Sequence, residues 1–154
     1  MKSFKESQNM FATWLLFILL PIIGYQIYQD LSNQEDLFKN PAILITTVVI
    51  IGLISLRLKT NYTAQGINIV FIPFVWNKFI SWDEIAYAYI REYGISDFGG
   101  WGYRFGKDGR AFTAKGDKGV QLVLKDSSKI LIGTQYPEKL QEIINLYKPY
   151  KDEF

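Results

Sequence analysis

The chain has 154 residues, a formal charge of +2, and neither cysteine nor histidine. Those absences exclude disulfides, thiolate metal sites and every serine–histidine or cysteine–histidine catalytic pair, and the small net charge has none of the strongly basic character of a nucleic-acid-binding domain. Hydrophobic residues make up 49% of the chain and charged residues still reach 21%, so the apolar ones must be locally concentrated; they are concentrated before Leu58.

From Phe11 to Tyr28 the chain carries no charge, and at 1.5 Å per residue this run makes about 27 Å of helix. A second uncharged run, Ala42 to Leu56, lies between Pro41 and Leu58. Residues 1–58 are therefore expected to form a two-helix transmembrane hairpin with spans near 11–28 and 41–58. Pro21 and Gly24 are tolerated in such a helix. A cleaved signal peptide fits less well, because no small-residue cleavage site follows the first run. Lys2 and Lys5 precede the first span, Arg57, Lys59 and Lys78 follow the second, and the intervening loop carries Asp30, Glu35 and Asp36 against Lys39. This asymmetry predicts a multi-pass protein of a bacterial inner membrane, with the N-terminus and the C-terminal domain cytoplasmic and the lipid bilayer as its first partner. Thr46, Thr47 and Ser55 are expected to bond back to their own helix.

Beyond residue 59 the apolar runs give way to short strands and turns. Strands are expected at Leu58–Thr63 and Ile67–Ile72 around a tight turn at Ala64-Gln65-Gly66, then a loop holding Trp76 and Lys78, then a strand at Ile85–Tyr93. Further strands are expected at Gly102–Phe105, Ala111–Ala114, Val120–Leu124 and Lys129–Ile132, separated by glycine, aspartate and serine turns. A helix opens at Pro137, with Glu138 at its positive end, and Leu140, Ile143, Ile144 and Tyr147 form one apolar stripe. Seven antiparallel strands in a sandwich or barrel capped by a C-terminal helix, over residues 59–154, is the element order of a pleckstrin-homology-like (PH-like) domain.

The Gly66-Ile67 hairpin entry, the segment Ile80-Ser81-Trp82-Asp83-Glu84-Ile85 and the ending Leu131-Ile132-Gly133-Thr134 to Pro137, together with the apolar hairpin, resemble bacterial membrane-anchored proteins with PH-like domains. The resemblance covers most of the chain and implies a fold and a membrane context, but no activity. Phosphoinositide-binding relatives carry a basic cluster at the first hairpin turn, where this chain has Thr63-Ala64-Gln65-Gly66.

The most distinctive stretch is Asp97 to Arg104, DFGGWGYR. Trp101 and Arg104, with Phe98 and Tyr103, form a candidate partner-binding loop, since tryptophan and arginine dominate interface hot spots; the competing reading is a bulged turn whose tryptophan folds onto the sandwich. As a phosphate loop the stretch is a weak match, because the third glycine and the lysine–hydroxyl pair are missing and it opens a strand. Lys107, Arg110, Lys115 and Lys118, with Arg57 and Lys59, are candidate contacts for anionic lipid head groups, although Asp108 and Asp117 interrupt the run. Asp83, Glu84, Glu92 and Asp97 have neither metal-ligand spacing nor a nucleophile partner. The expectation is thus a non-enzymatic, membrane-tethered interaction or assembly module without cofactor or metal. It would bind a protein partner or a second copy, or alternatively anionic head groups, and not nucleic acid.

Overall fold

The computed structural model describes residues 3–10, 15–34, 36–94, 102–106 and 109–148. It divides into two compact units, residues 10–56 and residues 1–9 together with 57–154.

The first unit is a helical hairpin, α1 (Leu16–Ser32) and α2 (Pro41–Ser55). Asn40 caps α2, its side-chain oxygen accepting from the Ala42 N–H at 2.9 Å with Pro41 in the first turn, where proline loses no helical hydrogen bond. The Asn40 side-chain amide also donates to both carboxylate oxygens of Asp30, at 2.8 and 2.7 Å, which fastens the end of α1 to the start of α2. Thr46 and Ser55 donate back to the carbonyls of Ala42 and Ile51. No residue of α2 is buried, and Ile45, Val48 and Ile51 are exposed.

The expected transmembrane hairpin is not what the chain forms. No helix among the described residues is long and apolar enough to cross a membrane. The 17 residues of α1 and the 15 of α2 rise about 25 and 22 Å, against about 30 Å of hydrocarbon. The second expected span loses its last turn because Leu56 is already extended and Arg57 enters a strand; residues 11–14 of the first lie outside the described residues. The inner-membrane, multi-pass assignment rested on those spans and falls with them.

Among the described residues, the second unit has nine strands in two sheets. One sheet runs β1 (Phe4–Asn9), β2 (Arg57–Tyr62), β3 (Gly66–Ile72), β4 (Val75–Ser81), all antiparallel neighbours. The other contains β5 (Ile85–Glu92), β6 (Gly102–Gly106), β7 (Gly109–Thr113), β8 (Lys118–Leu124) and β9 (Lys129–Gly133), in the order β5-β8-β9-β7-β6. Strands β7 and β9 are parallel, so the expected seven-stranded, wholly antiparallel sandwich is corrected on both counts. The added strands are β1, whose inward positions are the polar Glu6 and Gln8, and β4, which replaces the expected loop around Trp76 and Lys78.

Period-two alternation points Leu58, Thr60 and Tyr62 of β2 and Ile67, Ile69 and Phe71 of β3 inward. The second sheet buries Phe112, Val120, Leu122, Ile130 and Ile132, and the rings of Phe71 and Phe112 pack edge to face at 6.4 Å. The C-terminal helix α3 (Pro137–Tyr147) is present and buries Leu140, Ile143 and Ile144 against β5 and β8. Trp82, in the turn between β4 and β5, donates its indole N–H to the Thr63 carbonyl at 2.7 Å and stacks on Tyr147 at 5.5 Å. It ties the first hairpin turn to the helix.

Candidate anion-binding site

Strands β4 and β7 place cations beside core residues, Lys78 half-buried and Arg110 exposed. On β4, Lys78 is the register partner of the fully buried Ile69 and so shares its inward side. On β7, Arg110 lies two residues before the buried Phe112, beside Ile130 of β9. The two side chains, one from each sheet, line a single cavity of about 590 Å³. Lys129 adds a third cation, Ser127 and Ser128 contribute from the β8–β9 turn, and Phe105, Leu124 and Ile130 supply an apolar wall.

The local backbone is built to hold this arrangement. Gly109 has φ of +95°, and a Cβ there would collide with the Lys129 carbonyl. Only glycine lets β7 start so close to β9, and that approach sets Arg110 beside Ile130. In the β8–β9 turn the Leu124 N–H donates to the Ser128 carbonyl at 2.8 Å, and Ser127 takes a left-handed φ of +68°. The cavity's carboxylate, Asp126, is engaged within that turn. It accepts from the Ser128 N–H at 2.9 Å, and hydrogen bonds from the Ser128 hydroxyl and N–H hold it below the usual carboxylate range.

Among the described residues the lining carries the cations Lys78, Arg110 and Lys129 and the carboxylate of Asp126. Partial burial of Lys78 lowers its pKa, and the nearby charge of Arg110 lowers it further, with Glu84 opposing. The Arg110 guanidinium sits over the Phe105 ring, 5.6 Å from its centroid. Two cations from different sheets, each opposing the other across one cavity, form a site whose charge an anion would balance.

The residues singled out in the sequence are distributed otherwise. Phe98, Trp101 and Lys107 lie outside the described residues. Tyr103 stacks on Phe112 with centroids 5.0 Å apart, whereas Arg104, one residue on in β6, is exposed on the opposite face of the strand. Arg57 and Lys59 sit on the outward side of β2. Lys115 is exposed, and Lys118 pairs with Glu92 at 3.5 Å. Arg110 adjoins Ile130 at the start of β9, while the Lys118 carbonyl accepts from the Thr134 N–H just past its end. At 3.3 Å per residue those positions are about 13 Å apart, so the basic residues of these turns do not converge. Among the described residues of the group, Arg110 alone lines the cavity, in company with Lys78, Phe105, Ser127 and Lys129, which the sequence reading does not single out as a site. The signal that finds Lys78 and Arg110 is a cation two residues before a core residue of the same strand, Ile80 and Phe112 respectively.

A second polar cluster lies between β1 and the end of β9. Glu6 accepts from the Thr134 hydroxyl and the Gln135 N–H, each at 2.7 Å, and the Gln8 amide donates to the Gly133 carbonyl at 2.8 Å. Burial raises the Tyr62 hydroxyl far above its ordinary pKa and the Glu6 charge adds to that; burial, then Asp117 and Glu6, push Tyr93 up to about 12. This cluster holds β1 in place, and every polar group in it comes from a strand or its adjoining turn.

No family model, no curated protein and no solved structure matches this chain. The resemblance to PH-like domains therefore stands on the quoted motifs alone, and of these Trp82 has a structural role that the fold itself explains.

Proposed function

We propose that the β-domain is a binding module for an oxyanion, a phosphate or a carboxylate, held in the cavity between Lys78, Arg110 and Lys129. The observation that carries this reading is the placement of Lys78 and Arg110, from opposite sheets, on one cavity whose acid is already occupied by its own turn. A guanidinium supplies paired donors that suit a planar or tetrahedral oxyanion, and the lysines add point charges. The Ser127 hydroxyl is a further donor along the same wall. Lys78 is half-buried, and its partial withdrawal from water would strengthen its attraction to an anion.

The test is calorimetric titration of the full chain with inorganic phosphate, for the wild type and for Lys78→Met and Arg110→Gln. Saturable binding, weakened roughly tenfold or more by each substitution, is expected from the loss of one charge-assisted contact. Absence of saturable binding, or affinities unchanged in both variants with the fold intact, would refute the reading.

A further inference from the structure

We infer that the occupant of this cavity is an organic oxyanion whose apolar body packs against Phe105, Leu124 and Ile130, in preference to a bare inorganic anion. The inference rests on the anion-binding reading and adds the chemical class of the ligand. Three observations carry it.

The cavity is too large for a small ion. Its volume of about 590 Å³ falls in the range of ligand pockets, roughly 300–1,000 Å³, whereas a water molecule occupies about 30 Å³ of liquid. The chemistry of the wall is also mixed. Three cations, the Asp126 carboxylate and two serines share it with the hydrocarbon of Phe105, Leu124 and Ile130. Finally, Phe105 is 69% exposed although Tyr103, on the same face of β6, is half-buried against Phe112. An aromatic ring standing in solvent beside a guanidinium offers an apolar group a surface next to its charge, and burying that ring on binding is favourable.

The experiment compares inorganic phosphate with phenyl phosphate as probes of the full chain, by the same calorimetric titration, in the wild type, Phe105→Ala and Phe105→Leu. Phenyl phosphate is expected to bind the wild type about fivefold more tightly, the fold-change an aromatic contact supplies. Phe105→Ala is expected to bring the ratio of the two affinities to about one, whatever its effect on phosphate itself, and Phe105→Leu to retain part of the preference. Equal affinities in the wild type, or a preference that survives Phe105→Ala, would overturn the inference and leave the anion-binding reading standing. If neither probe binds, both fail.

Discussion

Glu6 and Thr134, 128 residues apart, are joined by a hydrogen bond of 2.7 Å from the Thr134 hydroxyl to the Glu6 carboxylate, and both residues are buried. Through this contact the N-terminal strand, which belongs to the first sheet, is locked to the end of β9 in the second. The chain thus spends residues 10–56 on a helical hairpin between two strands that pair directly, Asn9 with Arg57.

Removing that lock should loosen β1. Glu6→Ala deletes the acceptor for the Thr134 hydroxyl and the Gln135 N–H and is expected to destabilise the domain by about 2–3 kcal/mol, because the buried donors lose a charged partner. Chemical denaturation measures it, and a change below about 0.5 kcal/mol, the range of ordinary surface substitutions, would show that the contact does not hold the strand.

The same region contains a group the protein is better without. The Tyr62 hydroxyl is fully buried and has no hydrogen-bond partner among the described residues. Tyr62→Phe is expected to raise stability by about 1 kcal/mol by removing an unsatisfied donor. Tyr93 adds a pH signature. Its folded-state pKa of about 12 lies above the ordinary 10.0, so the folded state holds the proton more tightly and stability falls as pH rises through that window. Tyr93→Phe should flatten this alkaline loss in denaturation curves recorded from pH 9 to 12.

Gly109→Ala tests the backbone that sets the cavity. The left-handed φ and the collision of a Cβ with the Lys129 carbonyl together predict a destabilisation of about 1–3 kcal/mol. Retention of wild-type stability by thermal denaturation would mean that β7 and β9 tolerate separation.

Much of the second unit is written in local pattern. The stripe Leu140, Ile143 and Ile144 marks α3, alternation marks β2 and β3, and short apolar runs mark β8 and β9. Strand β1 escapes because its inward residues, Glu6 and Gln8, are polar and acquire their partners only from residues 133–135. β4 escapes because a register shift opposite Ile69 and Phe71 interrupts its alternation and because Lys78 occupies an inward position. The cavity is less legible still. Arg110 and Lys129 come together through a parallel strand pair, and Lys78 arrives from another sheet, so no spacing along the chain encodes their meeting. The second helical run misleads for a simpler reason: Leu56 and Leu58 continue its apolar character, but the helix ends at Ser55 and Arg57 opens a strand.

Lys78 should also leave a trace in stability. Its folded pKa lies below the ordinary 10.5, so the unfolded state binds the proton more tightly and stability rises with pH between the folded value and 10.5. Lys78→Met relieves the unfavourable charge. Its stability advantage over the wild type is expected to be greatest near neutral pH and to shrink as pH approaches 10.5, as followed by denaturant unfolding. An advantage independent of pH would show that the lysine's charge is not strained.

The central claim, that Lys78 and Arg110 share an anion, is tested most directly by NMR titration of the Lys78 side chain in the full protein, with and without inorganic phosphate. Without phosphate the titration is predicted to fall below 10.5; with saturating phosphate it should move upward, because the bound anion offsets the charge of Arg110. A Lys78 titration curve that phosphate leaves unchanged would contradict the account.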